Sequence, residues 1–160
     1  MAKDKIKALL HSIRTSFQGK PWYGISVMEK LEAVDWNCVN DKPQGSSKSI
    51  AILLKHMINW RVLVLKKLEG NKQFDIEINS ADDWPILHID TEAEWNDLIS
   101  ELRETQEKLI QALTRHEDEF LALEVPGRDY DFDFLLKGII EHDIYHLGQI
   151  ALIYSMVKPH

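Results

Sequence analysis

A chain of 160 residues is long enough to bury a hydrophobic core, and 44% hydrophobic with 28% charged residues is the balance of an ordinary globular domain, not of a disordered or membrane-embedded chain. The net charge of −7 argues against a nucleic-acid backbone as the main partner, and no apolar run approaches the roughly 20 residues that span a bilayer. A single cysteine, Cys38, cannot close an internal disulfide, and Met1-Ala2-Lys3-Asp4-Lys5 leads into an amphipathic segment rather than an apolar signal stretch. One cytoplasmic domain over residues 1–160 is therefore expected.

Ile6, Leu9, Leu10, Ile13 and Phe17 recur at helical spacing and predict a first amphipathic helix, broken by Gly19-Lys20-Pro21. A short helix is expected after Gly24, with Ile25, Met28 and Leu31 on one face. Cys38 reads as a small, half-buried apolar residue, and Val39 to Ser49 as a surface loop. A second long helix runs from about Ser49 to Leu68 and stops at Gly70-Asn71. Residues 71–90 are the least regular: Phe74-Asp75-Ile76-Glu77-Ile78 alternates like a short extended piece, and Asp82-Asp83-Trp84-Pro85 is turn chemistry around an aromatic. Thr91-Glu92-Ala93-Glu94 has the form of a capping box. The third helix follows it, with Trp95, Leu98, Leu102, Leu109 and Leu113 inside. Val125-Pro126-Gly127 turns the chain into a fourth helix that starts near Asp131 or Asp133 and continues to about Val157. The expected fold is all-α, a four-helix bundle whose long 71–90 connection makes a crossover between the second and third long helices.

The chemistry concentrates on histidines. His142 and His146 stand four residues apart, hence on one helical face, within a stripe of Leu135, Ile139, Ile150 and Ile153. On the second long helix Ile52, His56, Asn59, Trp60 and Leu63 form a comparable stripe. Bundled helices pack apolar stripes together, so three imidazoles can converge inside. A lone inward histidine is usually a core residue with hydrogen-bonded ring nitrogens. Burying three without partners costs on the order of 1–3 kcal/mol each, whereas one metal ion satisfies them together. Three nitrogen ligands leave positions open for water or substrate, as in catalytic rather than structural zinc sites. All-imidazole ligation suits zinc, nickel, iron(II), manganese or copper alike. An ion there would lower the pKa of bound water or hold an incoming thiol as thiolate. A rival assignment is a zincin-like helix, because His142-Asp143-Ile144-Tyr145-His146 resembles H-E-x-x-H, but aspartate is one methylene short of the general base.

Around these residues, Glu141 and Asp143 are candidates for carboxylates that orient an imidazole, with solvated surface charge as the alternative. Gln149 lies one turn beyond His146, and Asn59 and Trp60 are candidate pocket residues beside His56. His116 lies in a charged run and is expected in solvent; His11 and His88 have no partner at ligand spacing, and His160 is terminal and expected to be mobile.

Several segments in order, Trp22-Tyr23-Gly24-Ile25-Ser26, Ser49 to Trp60, Asp83-Trp84-Pro85, Trp95, Val125-Pro126-Gly127 and above all Gly138 to Ile150 with its H-x-x-x-H-x-G-Q-I form, resemble the DinB/YfiT-like metalloenzyme family. The likeness covers nearly the whole chain and is to the damage-inducible helical proteins, not to a DNA polymerase. It implies a four-helix bundle holding a divalent metal ion (Zn, Ni, Mn or Fe) on His56, His142 and His146, in a homodimer. It also implies thiol-dependent transferase or isomerase chemistry with a low-molecular-weight thiol as cofactor. The leading expectation is thus a metal-dependent enzyme transferring a small thiol to a small-molecule electrophile, without nucleic-acid or membrane partners. A metal-dependent hydrolase is the nearest variant. A non-catalytic metal-binding stress or structural bundle, and a plain bundle with hydrogen-bonded core histidines, are the alternatives from other classes.

Overall fold

The computed structural model describes residues 3–159; Met1, Ala2 and His160, including the expected mobility of His160, lie outside the described residues. Among the described residues the chain is all-helical, with α1 (Asp4–Gln18), α2 (Val27–Glu32), α3 (Ile50–Leu68), α4 (Glu92–Thr114) and α5 (Phe132–Val157), two short 3₁₀ turns at Trp36–Cys38 and Asp118–Ala122, and no strand. The second, third and fourth long helices of the sequence are α3, α4 and α5. Their starts follow from caps. Ser49 Oγ accepts from the Ile52 amide, Thr91 and Glu94 form the full capping box, and Asp131 accepts from the Phe134 amide. Helix α3 ends in a Schellman motif: Gly70 takes φ 82°, its amide bonds the Lys67 carbonyl, and the Asn71 amide bonds that of Lys66. Helix α1 has no cap of its own at Lys3. The Asp118 carboxylate supplies one from 112 residues away, accepting from the Ile6 amide at 2.9 Å and the Lys5 amide at 3.2 Å.

Helix α3 packs on both α4 and α5, while α1 lies against α2, α4 and α5. The buried apolar residues fall into two groups. One gathers Phe17, Met28, Leu31, Leu54, Met57, Trp95, Leu102, Leu147 and Ile150; the other gathers Ile6, Ile13, Val64, Leu109, Leu113, Phe132, Leu136 and Ile139. Along α3, α4 and α5 the boundary between them is polar: Arg61 on α3, Gln106 on α4, Asp143 on α5, all buried. This polar waist carries the site.

Four local expectations change. Val39 is fully buried and its carbonyl accepts from the Ala51 amide at 2.9 Å, because the 3₁₀ turn Trp36–Cys38 folds the start of the expected surface loop inward. Cys38 is buried, its thiol directed at the Asp35 carbonyl. Ile25 precedes the Ser26 cap, so α2 buries Val27, Met28 and Leu31 instead. The 74–78 piece finds no partner strand, and the alternation buries only Ile76 while Ile78 is 72% exposed. The Val125–Arg128 turn does form, with Gly127 at φ 79° as a type II turn requires at that position.

Candidate metal centre

His56 from α3 and His142 and His146 from α5 meet through their Nε2 atoms. The separations are 3.0 Å for His56–His142, 3.0 Å for His56–His146 and 3.1 Å for His142–His146. His56 and His146 are each 4% exposed, and His142 is half-buried. Together they form a group able to hold one ion.

The tautomers follow from the far side of each ring. His56 Nδ1 lies 2.7 Å from the Asp83 carbonyl oxygen, which can only accept, so Nδ1–H donates and Nε2 presents a lone pair. His146 Nδ1 lies 2.6 Å from Gln149 Oε1, and the same logic frees its Nε2. His142 Nδ1 is buried without a protein partner. Two lone pairs facing each other at 3.0 Å repel, and one proton on His142 can bridge only one of them. A single cation satisfies all three nitrogens. Nitrogens about 2.1 Å from a shared ion are about 3.0 Å apart at right angles and about 3.4 Å apart at the tetrahedral angle. The observed triangle therefore fits three ligands on one face of an ion, its opposite side open. Burial also pushes all three imidazoles toward the neutral, ligating form. His142 is driven down to about 3 by burial first and then by the other two rings; His56 and His146 are lowered mainly by burial.

Of the flanking residues named from sequence, Gln149 orients His146. Trp60 stands edge-on to His56 with ring centroids 6.3 Å apart and is 5.8 Å from His142, forming a wall. Asn59 hydrogen-bonds no imidazole; its amide donates to the Asp82 carbonyl at 2.6 Å. Asp143 hydrogen-bonds none either and is not solvated. It is 2% exposed and its Oδ2 accepts from Arg61 Nη2 at 2.7 Å and Nε at 2.9 Å, because its position on α5 faces α3 inside the waist. Arg61 also donates to Gln106 Oε1 at 2.9 Å, and Gln106 donates to the Ile13 carbonyl at 3.2 Å, so the network reaches all four long helices. Burial raises the Asp143 pKa, and the Arg61 guanidinium counters it. Glu141 is exposed and lines a groove of about 630 Å³ between α1 and α5 that contains none of the three histidines.

Sequence reasoning missed Asp83 and Trp84 as site residues. The Asp83 carboxylate is buried, 3.1 Å from His56 Nδ1, and accepts from Trp60 Nε1 at 2.8 Å. The Trp84 ring stacks on His56 at 3.8 Å and 3°. The available signal was the turn cluster Asp82 to Pro85, whose partner lies 27 residues back on α3. His116 is half-buried rather than solvated, stacked on Phe120 at 3.7 Å, while His88 is exposed.

Residues 27–150 match the family model described as the DinB superfamily. No curated protein and no solved structure matches the chain.

Proposed function

Since the chain belongs to the DinB superfamily, we propose that it is a divalent-metal enzyme in which His56, His142 and His146 hold the ion and a small molecule reacts at the open side. The observation that carries this is the triangle of Nε2 atoms at 3.0–3.1 Å, two of them with lone pairs turned inward by acceptors behind their rings. A bound divalent ion supplies Lewis acidity, lowering the pKa of a water or thiol at its open positions. The protein's part is to keep the three imidazoles neutral, hold two of them in one tautomer, and wall the site with Trp60 and Trp84. Behind His56 both Asp83 oxygens are occupied, by Trp60 and by the Asn79 amide. Asp83 is thus no general base, which favours a nucleophile activated by the ion itself.

The reaction class we favour is transfer of a low-molecular-weight thiol to an electrophile, a choice supported by the family resemblance. The four long helices are assigned to one four-helix-bundle domain, with the α3–α4 connection as its crossover. A cytoplasmic homodimer is the expected working form. Metal analysis of protein purified without chelator or affinity-tag metal, beside His56→Ala, tests the centre. Near-stoichiometric metal, lost in the variant, is expected; a wild type that neither carries nor takes up Zn²⁺, Ni²⁺ or Mn²⁺ overturns it. Thiol-dependent consumption of monochlorobimane separates transferase from hydrolase, because a hydrolase ignores the thiol.

A further inference from the structure

Three features that fix His56 come from two consecutive residues of the α3–α4 connection. The Asp83 carbonyl sets the tautomer, the Asp83 carboxylate sits 3.1 Å from the same nitrogen, and the Trp84 ring covers one face of the imidazole. The reverse dependence is equally direct. Residues 77–79, 81 and 82 are exposed, so little apolar burial holds this part of the connection down. Apart from Trp84, which stacks on His56 and packs against the apolar core, its ties to α3 are polar: Asp82 carbonyl to Asn59, Asp83 carboxylate to Trp60, Asp83 carbonyl to His56. The segment also closes on itself through Asp83. Asn79 takes φ 67°, the left-handed region that a residue with a side chain enters at a cost, and its amide donates to Asp83 Oδ2 at 2.8 Å.

We propose that Asp83 is a positioning residue of the metal centre, and that through it ion binding at the three histidines and seating of residues 79–84 are one linked equilibrium. This rests on the metal assignment above. If residues 79–84 lift, His56 loses its tautomer-setting acceptor, its carboxylate neighbour and its stacked face together. By linkage, an ion that binds the seated form more tightly by some factor stabilises that form by the same factor. Both carboxylate oxygens accept from N–H donors, so an amide cannot replace Asp83: its NH₂ would meet a donor at one of the two positions.

The test combines hydrogen exchange over residues 75–90, with and without Zn²⁺, with competition titration of Zn²⁺ affinity. It uses wild type, Asp83→Ala and Asn59→Ala, the last removing a tie of the segment without touching any imidazole. In wild type, Zn²⁺ is expected to slow exchange of the Asn79, Asp83 and Trp84 amides at least tenfold. Asp83→Ala is expected to weaken Zn²⁺ about 10- to 100-fold, abolish that protection, and shift the visible bands of the Co²⁺-loaded protein, which loss of packing alone would not move. Should Asp83→Ala fold poorly, Asn59→Ala decides: faster exchange of 79–84 without metal, restored toward wild type by Zn²⁺. A wild type that binds Zn²⁺ while exchange over 79–84 stays the same overturns the linkage alone, as does an Asp83→Ala protein that binds as tightly as wild type. A wild type that binds none of Zn²⁺, Ni²⁺ and Mn²⁺ sinks the metal assignment with it.

Discussion

Replacing Arg61 by methionine strands a charge. Arg61 and Asp143 are 3% and 2% exposed, and the pair shares two hydrogen bonds at 2.7 and 2.9 Å. Removing one partner of a buried pair costs about 3–5 kcal/mol, a large part of the roughly 5–15 kcal/mol that stabilises a domain. Asp143 Oδ1 already lacks a partner, so nothing nearby relieves the loss. Removing both charges is a different perturbation. In Arg61→Met/Asp143→Leu the desolvation cost disappears, often a gain of about 1–4 kcal/mol, while Gln106 Oε1 loses its donor at about 1–3 kcal/mol. The double variant should therefore lie between about 2 kcal/mol less and about 3 kcal/mol more stable than wild type. Urea titration of the metal-free proteins at pH 7 measures both. Acid should narrow the gap between the single variant and wild type. The folded-state pKa of Asp143 is raised by burial, and without Arg61 it rises further, so the folded variant binds the extra proton and its stability increases as pH falls toward the ordinary carboxylate range. Taking the difference from wild type at each pH cancels the contribution of the histidines except for the part of the lowering of His142 that comes from the Arg61 charge itself. A single variant costing under about 1 kcal/mol, the worth of an exposed pair, or a double variant as unstable as the single one, would refute the stranded-charge account.

Three further outcomes are expected. The metal-free wild type loses stability as pH falls below about 6.5, because unfolded histidine takes up a proton that folded His142, lowered to about 3, refuses; from pH 6.5 to 4.5 this amounts to at most about 2.7 kcal/mol at 1.36 kcal/mol per unit, read as the difference in acid sensitivity from His142→Leu. Gln149→Ala leaves His146 Nδ1–H without its acceptor at 2.6 Å and should weaken metal binding about tenfold while the metal-free urea midpoint moves little; unchanged affinity counts against the role of Gln149. Asp118→Ala removes the distant cap of α1, with an expected lower urea midpoint and faster exchange of the Lys5 and Ile6 amides, whereas unaltered exchange there means that water caps the helix equally well.

What the sequence made legible was what local rules encode. The capping box of Thr91 with Glu94 forms as expected, the helix expected from about Ser49 is capped by Ser49, and of the two starts open for the last helix, Asp131 or Asp133, Asp131 is the cap, each through a bond spanning three residues. Helical period alone put His142 and His146 on one face and His56 on a facing stripe, so the imidazole cluster could be read before any coordinates. Its supports could not be. His56 meets Asp83 across 27 residues, Arg61 meets Asp143 across 82, and Asp118 caps α1 across 112. Nothing periodic connects such pairs. A charged residue beside His142 reads as solvated or as bonded to that imidazole, and Asp143 is neither: it is buried and bonded to Arg61. Burial of the Val39 end of the 39–49 loop likewise depends on tertiary packing and not on the Asn, Pro and Gly that made the segment look exposed.

The position of the Arg61–Asp143 pair suggests what it does for the centre. A buried pair that apolar residues could replace at little cost in stability is not needed for folding strength. Along α3, Arg61 lies about 7.5 Å from His56 at 1.5 Å per residue. Along α5, Asp143 is adjacent to His142. The forked bond between them therefore pins the sliding register of α3 against α5 at the level where the three Nε2 atoms meet at 3.0–3.1 Å. Ligand geometry tolerates only about 0.5 Å of error, and the two-pronged ionic bond adds a directional restraint to that of the apolar packing. We therefore expect Arg61→Met/Asp143→Leu to separate two properties: urea stability near or above wild type, but Zn²⁺ affinity lower by about tenfold or more. A double variant that binds Zn²⁺ as tightly as wild type would show that α3 and α5 keep their register through the apolar clusters alone. The waist charges would then have no part in shaping the centre.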